Sequence, residues 1–206
     1  ASIDIGSNAM RLLFCRVIED KDSPKFIKES LFRMPLRLGQ DAFTDGVISE
    51  ENSMKLIDTV GAFQLMIKAY DPIAFRSCAT AALRTALNGK KLVDEINAKV
   101  NVDLEIISGN EEARIIMANH IEDHLDPKKN YLYVDVGGGS TEISFISNRQ
   151  KVSSKSFPIG SVRLLENQVT ENDWADMEKW INKNMSKHKG QFKAIGSGGN
   201  INKIFS

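Results

Sequence analysis

The chain has no excess charge of either sign, few cysteines, few histidines and no long apolar run. Its 206 residues carry 27 Lys and Arg against 27 Asp and Glu, a formal net charge of zero. That balance leaves no global field to draw the chain to nucleic acid or to a membrane surface, so any anion site has to be built locally. No window approaches the roughly 20 apolar residues that a membrane-spanning helix needs. No secretory signal is present, although Ala1 already lies in what reads as a strand, so the N-terminus is expected to be trimmed. The two cysteines, Cys15 and Cys78, sit among apolar residues and fit free thiols in a reducing cytoplasm better than a disulfide framework. His120 and His124 are spaced i, i+4 in "HIEDH" without a third ligand nearby, and His188 stands apart, so they read as solvated histidines rather than a metal site.

What is present is an ordered alternation of strands and helices. Strands are expected over 2–6, 10–18 and 25–38, followed by a loop over 39–49. Met54, Ile57, Val60, Phe63 and Ile67 recur at helical spacing, which predicts a helix over 50–69 that Pro72 ends. A strand over 73–80, helices over 80–87 and 88–99, a strand over 102–107 and a helix from Ser108 to 125 complete the first half. Charged "DPKKN" around Pro127 then suggests a boundary, giving domains 1–125 and 126–206. Strands over 130–136, 141–147 and 151–158, helices over 160–168 and 171–187, a strand over 192–195 and a helix from about 199 follow. The order is α/β, with hairpins first and crossovers later.

The halves repeat. Set "SIDIGSNAMRLLF" (2–14) beside "YVDVGGGSTEISF" (133–145): Asp4 falls on Asp135, Gly6 on Gly137, Ser7 on Gly138, Asn8 on Gly139 and Phe14 on Phe145. A third cluster, Gly196, Ser197, Gly198 and Gly199, has its counterpart in the small residues of "FRSCATAALR" (75–84). Two matching strand–turn–strand units, each opening a βββαβα run, argue for duplication. Turns of Gly, Ser and Asn let the backbone approach a ligand and present several N–H groups to it, which suits phosphate oxygens. Ser140 and Thr141 add hydroxyls. An aspartate beside bound phosphate is repelled unless a cation intervenes, so Asp4 and Asp135 suggest Mg²⁺. "GNEEAR" adds Glu111 and Glu112, which point about 100° apart on a helix, so only one faces a given cleft; the residues alone do not choose between them.

These motifs resemble the phosphate loops of the actin and sugar-kinase superfamily. The closer resemblance is to the exopolyphosphatase and guanosine pentaphosphatase (Ppx/GppA) family. It is carried further by "ATAALRTALNG" (79–89), "EIISGNEEARI" (105–115), "FPIGSVRLLE" (157–166) and "IGSGGNI" (195–201), which together span nearly the whole chain. The resemblance implies an α/β fold of two RNase H-like, actin-like ATPase domains with the active site in the cleft between them. The chain stops inside a helix after the third glycine loop, so the second domain is expected to be truncated.

The resemblance also assigns roles. Glu112 is the catalytic carboxylate. Gly6, Ser7, Asn8, Arg84, Gly137, Gly138, Gly139, Ser140 and Thr141 bind phosphate. Asp4, Asp135 and, less directly, Glu142 hold Mg²⁺. Arg163 is a weaker anion-site candidate. Ala9 stands where the family often has serine. The implied activity is Mg²⁺-dependent release of terminal phosphate from inorganic polyphosphate or from pppGpp, by an exopolyphosphatase or a guanosine pentaphosphate phosphohydrolase of the stringent response. The implied ligands are polyphosphate or guanosine penta- and tetraphosphate, with a homodimer as the implied assembly. A non-catalytic sensor of the same ligands is the alternative, and a sugar or acetate kinase a weaker one. "SGNEEAR" speaks against the kinase.

Overall fold

A computed structural model of the chain describes residues 1–19, 24–117, 125–188, 191–199 and 201. The chain divides into two compact units, Ala1–Ile107 and Ser108–Ser206.

The first unit opens with three antiparallel strands, β1 (Ser2–Ile5), β2 (Met10–Ile18) and β3 (Lys25–Met34). Strands β4 (Arg76–Ala79) and β5 (Leu104–Ile106) then add in parallel, giving the order β3-β2-β1-β4-β5. Hairpins followed by helical crossovers are what the sequence order implied. One face carries Ile3, Ile5, Met10, Leu12 and Phe14, all buried. Helices α2 (Glu50–Tyr70) and α4 (Gly89–Val100) bury Leu56, Val60, Phe63 and Ile67, and Leu92, Val93 and Ile96, respectively. The short α3 (Ala81–Thr85) links β4 to α4.

The start of α2 is fixed by side chains. Ser49 is its N-cap and accepts from Asn52 N at 3.3 Å. The Asp41 carboxylate accepts from Ser49 N, Ser49 Oγ and Asn52 Nδ2 at 2.8, 2.6 and 2.8 Å. The helix ends at Asp71, in the left-handed region with φ 46°, immediately before Pro72.

The expected strand to 38 and loop over 39–49 are corrected here. Strand β3 stops at Met34, and α1 (Leu38–Thr44) follows. Pro35 lacks the N–H that a ladder needs, which ends the strand. Leu38, Gly39, Ala42 and Phe43 then bury one helical stripe.

The second unit repeats the plan. Strands β6 (Asn130–Val136), β7 (Thr141–Ser147) and β8 (Gln150–Phe157) are antiparallel, and β9 (Phe192–Ser197) joins β6 in parallel, giving β8-β7-β6-β9. This is the order of the first four positions in the other sheet. One face packs Ile143, Phe145, Phe157 and Ile159 against Met177, Trp180 and Ile181 of α7 (Glu171–Met185). The opposite face holds Leu125, Tyr131, Tyr133 and Ile146, against which Ile116 of α5 (Gly109–Met117) packs. The expected boundary at 125/126 therefore moves to Ile107/Ser108: the apolar side of α5 is buried on β7 and β8, in the second unit. The short α6 (Ser161–Leu165) connects β8 to α7. The helix expected from about 199 lies largely outside the described residues, as do His120 and His124. No helix among the described residues is long and apolar enough to cross a membrane.

Candidate functional site

The two loops found by repetition close the same way. Gly6 N donates to Ala9 O at 3.1 Å, and Gly137 N donates to Ser140 O at 2.9 Å. Each loop also rests on the start of a short helix. In the first unit Gly39 N donates to Ser7 O at 2.7 Å and Arg37 N to Asn8 O at 2.9 Å. In the second, Ser161 N donates to Gly137 O at 3.0 Å and Val162 N to Gly138 O at 2.8 Å. Arg163 Nε donates to Gly139 O at 2.8 Å. Ser7, Ser140 and Thr141 are buried, while Asn8 is exposed. The Thr141 hydroxyl donates to Ile159 O at 2.5 Å, so in this chain it fixes the segment before α6. Ala9 is buried as well, where a methyl needs no partner and a serine hydroxyl would. Sequence reasoning missed these helix seats. Their signal was the pair "MPLRLG" (34–39) and "FPIG" (157–160), which set an apolar-Gly step after a proline in each half.

Beside each loop a row of side chains crosses the sheet. Cross-strand partners project from one face. In the second unit the row runs Ser156, Glu142, Asp135, Ser197 over β8, β7, β6 and β9. Glu142 is only 4 % exposed and accepts from Ser156 Oγ at 2.6 Å. Asp135 Oδ1 accepts from Ser197 Oγ at 2.6 Å, which ties the third glycine loop to the second. Gly198 follows with φ 106°, where an added Cβ would lie 2.4 Å from Val136 O. Gly196 packs against Ile201, and Gly199 has open space around it.

In the first unit the row runs Arg33, Arg11, Asp4, Cys78, Glu105 over β3, β2, β1, β4 and β5. Arg11 Nη1 donates to Asp4 Oδ2 at 2.9 Å, and Arg76 Nε to Glu105 Oε1 at 2.7 Å. Burial pushes the Cys78 thiol up to about 11, opposed by the charge of Arg76 and helped by Glu105. Both cysteines are free and partly buried.

Helix α5 separates the two glutamates that the sequence left equivalent. Ser108 Oγ accepts from Glu111 N at 3.1 Å at the start of the helix. Glu111 accepts two hydrogen bonds from Arg114, Nε and Nη2 each at 2.7 Å. Glu112 lies four residues before Ile116, so the two share the side of α5 that faces the sheet. That is the face carrying Tyr131 and Tyr133, and by strand alternation Asp135 and its row. Arg84 Nη1 donates to Ile107 O at 2.7 Å, holding the chain just before α5 begins. Trp180 is core, packed on Phe145 and Phe157.

Among the described residues no group of three or more His, Cys, Asp or Glu could hold an ion. Asp135 and Glu142 form a pair of carboxylates directly opposite each other. A pair suits Mg²⁺, which keeps several waters and takes one or two carboxylates plus substrate phosphate, and does not suit an all-protein cage. In the first unit the Asp4 carboxylate accepts from Arg11 Nη1 at 2.9 Å.

Two α/β units that repeat one strand order, each with a Gly/Ser loop after its first strand, define the actin-like two-domain fold. Residues 18–204 match the Ppx/GppA phosphatase family, and the chain belongs to that family. It is 32 % identical over 223 residues to the bifunctional 3-dehydroquinate synthase/phosphatase of Fusobacterium nucleatum, covering 97 % of this chain and 32 % of that protein. It is 25 % identical over 187 residues to exopolyphosphatase 1 of Mycobacterium tuberculosis, covering 85 % and 54 %. An exopolyphosphatase from Cytophaga hutchinsonii superposes with a TM-score of 0.77 at 25 % identity, covering 98 % of this chain and 67 % of that one. The chain thus spans a third to about half of the length of these two curated relatives.

Proposed function

We propose that the chain carries out Mg²⁺-dependent hydrolysis of a terminal phosphoanhydride, releasing phosphate from inorganic polyphosphate, with pppGpp as the second substrate to be tested. The observation that carries this reading is the placement of Glu112 on the sheet-facing side of α5, over the face that bears Asp135 and Glu142. Family membership and the exopolyphosphatases among the relatives support the substrate class.

The chemistry asks little of the protein beyond positioning and charge. The loop at 6–9 in the first unit and the loop at 137–140 in the second each present backbone N–H groups suited to phosphoryl oxygens. Glu112 accepts a proton from the attacking water as its oxygen bonds to the terminal phosphorus. The bridging P–O bond breaks, and the shortened chain leaves as an oxyanion. Asp135 and Glu142 would hold Mg²⁺, which neutralises phosphate charge when bound. Glu111, engaged by Arg114, takes no part in the chemistry. Two partly buried free thiols support a reducing, cytoplasmic compartment.

The test is Glu112→Gln in the full-length protein. Phosphate release from long-chain polyphosphate should fall by about 10²- to 10⁴-fold, the range for loss of a general base, while polyphosphate binding persists. Wild-type protein that releases no phosphate from either polyphosphate or pppGpp with Mg²⁺ present would sink the proposal. The ratio of the two rates assigns the preferred substrate.

A further inference from the structure

Both loops are held from beneath by their carbonyl oxygens. The acceptors are Ser7 O and Asn8 O in the first unit, and Gly137 O, Gly138 O and Gly139 O in the second. In a planar trans peptide the C=O and the following N–H point in opposite directions. A carbonyl drawn toward the helix beneath therefore turns the next amide outward. In the second loop this applies to three consecutive peptides, so Gly138 N, Gly139 N and Ser140 N are turned away from α6 together. In the first loop it applies to Asn8 N and Ala9 N. A run of amides aimed the same way is the geometry of an anion nest.

The seats tolerate no bulk. A Cβ on Gly160 would lie 2.4 Å from Gly138 O and 2.6 Å from Gly139 C. A Cβ on Gly39 would lie 2.8 Å from Ser7 Cβ and 3.1 Å from Ser7 O. All the contacts at Gly160 and two of the three at Gly39 are with the loops themselves, the third at Gly39 being the Phe43 ring at 2.9 Å, so relief at either position displaces its loop. By contrast, a Cβ on Gly61, in the middle of α2, meets nothing within 4 Å.

We propose that Gly39, Gly160 and Arg163 are positioning residues that set the direction of the loop amides, and that Arg163 acts through Nε on Gly139 O rather than as a phosphate ligand. This rests on the loops being the phosphate sites named under the proposed function. It places the determinants of anion affinity outside the loops, in two short helices.

The experiment uses the full-length protein in the Glu112→Gln background, which prevents turnover. Tripolyphosphate binding is measured by calorimetry, and the Gly138 and Gly139 amide shifts by NMR. Gly160→Ala should weaken binding about tenfold or more, a change of about 1.4 kcal/mol, and abolish the ligand-induced shifts of both amides. Gly39→Ala should weaken binding in the same direction, and Gly61→Ala should leave it unchanged. Arg163→Met and Arg163→Lys should weaken binding alike, because lysine keeps the charge but not the planar Nε–H. Rescue by lysine would make Arg163 an anion ligand and overturn its assignment. Should Gly160→Ala fail to fold, the Arg163 pair and Gly39→Ala decide the matter. A parent protein that neither binds tripolyphosphate nor shifts Gly138 and Gly139 overturns the function itself. A folded Gly160→Ala protein that binds like its parent overturns the positioning role alone.

Discussion

On the first sheet the row through Asp4 reads Arg33, Arg11, Asp4, Cys78, Glu105; on the second the matching row reads Ser156, Glu142, Asp135, Ser197. The backbone positions correspond, but the electrostatics do not. In the first row two arginines face two carboxylates, and the Arg11–Asp4 pair is neutral without any added ion. The second row offers two carboxylates and no cation, with one serine hydroxyl donated to each. With both ionised, phosphate beside them is repelled by several kcal/mol at protein-like dielectric, about 4 kcal/mol per pair of charges at 4 Å. A cation removes that repulsion. The two units share strand order and loop closure but differ in charge here: in one an arginine neutralises the aspartate, in the other two carboxylates lie side by side with only serine hydroxyls donated to them. The cores diverged too: the first is mainly aliphatic, while the second is built on Phe145, Phe157, Phe192 and Trp180.

The largest effect expected concerns those cores. Phe145 is fully buried and packs against both Trp180 and Phe192. Phe145→Ala should cost about 3–5 kcal/mol, and Leu56→Ala in α2 about 2–5. Both tryptophans, Trp174 and Trp180, lie in the second unit, so their fluorescence reports that unit alone while far-UV circular dichroism reports both. In urea unfolding Phe145→Ala should lower the fluorescence midpoint, and Leu56→Ala should appear in dichroism while leaving fluorescence in place. Equal displacement of both signals by either substitution would show one cooperative unit in place of two.

The next effect sharpens the contrast between rows. Glu142→Gln and Asp135→Asn should each raise the Mg²⁺ concentration for half-maximal phosphate release by about 10- to 100-fold or more, the scale on which metal sites respond to lost carboxylate partners. Asp4→Asn removes only a half-exposed ion pair, which is worth about 0–1 kcal/mol, and should move that concentration much less. A Mg²⁺ dependence moved equally by Asp4→Asn and Asp135→Asn would erase the distinction and make Asp4 a metal ligand as well.

Much of this was legible in the sequence, and the gaps have identifiable causes. The strands were readable because alternation and turn residues are local, and the repeat was readable because Asp-apolar-Gly recurs at matched positions. Helix α1 was not. It has seven residues, carries a glycine inside it, and its N-cap is Arg37 in the left-handed region with no side-chain cap bond. The pairing of Ser156 with Glu142, and of Ser197 in the third glycine cluster with Asp135, was invisible because cross-strand register is a long-range property. Glu111 and Glu112 were indistinguishable by type and spacing, and what separates them is that Glu112 shares the sheet-facing side of α5 with Ile116. The placement of α5 was misjudged because the break at Pro127 looked like a boundary, whereas Ile116 and Leu125 share one cluster with Tyr131 and Tyr133.

The smallest effect compares the helix caps of the two units. In the first, three hydrogen bonds from Ser49 and Asn52 hold the Asp41 carboxyl below its ordinary value against the upward push of partial burial. In the second, Thr170 and Asp173 form a capping box at the start of α7, and hydrogen bonds from the Thr170 hydroxyl and N–H hold Asp173 below its ordinary value. A carboxyl lowered on folding adds stability at pH above its ordinary value, and that increment disappears as pH falls through the lowered value. Asp41→Ala and Asp173→Ala should therefore each cost about 1 kcal/mol at neutral pH, and the difference from wild type should shrink as pH falls below the ordinary value of 3.8 and be gone below the lowered value. Asp41 ties α1 to the start of α2 with three acceptor contacts, whereas Asp173 caps only its own helix, so Asp41→Ala should be the more costly of the two. Urea unfolding at neutral and at acid pH checks both, by dichroism for Asp41→Ala and by fluorescence for Asp173→Ala. A cost that persists undiminished in acid would mean that the aspartates act by packing rather than as charged acceptors.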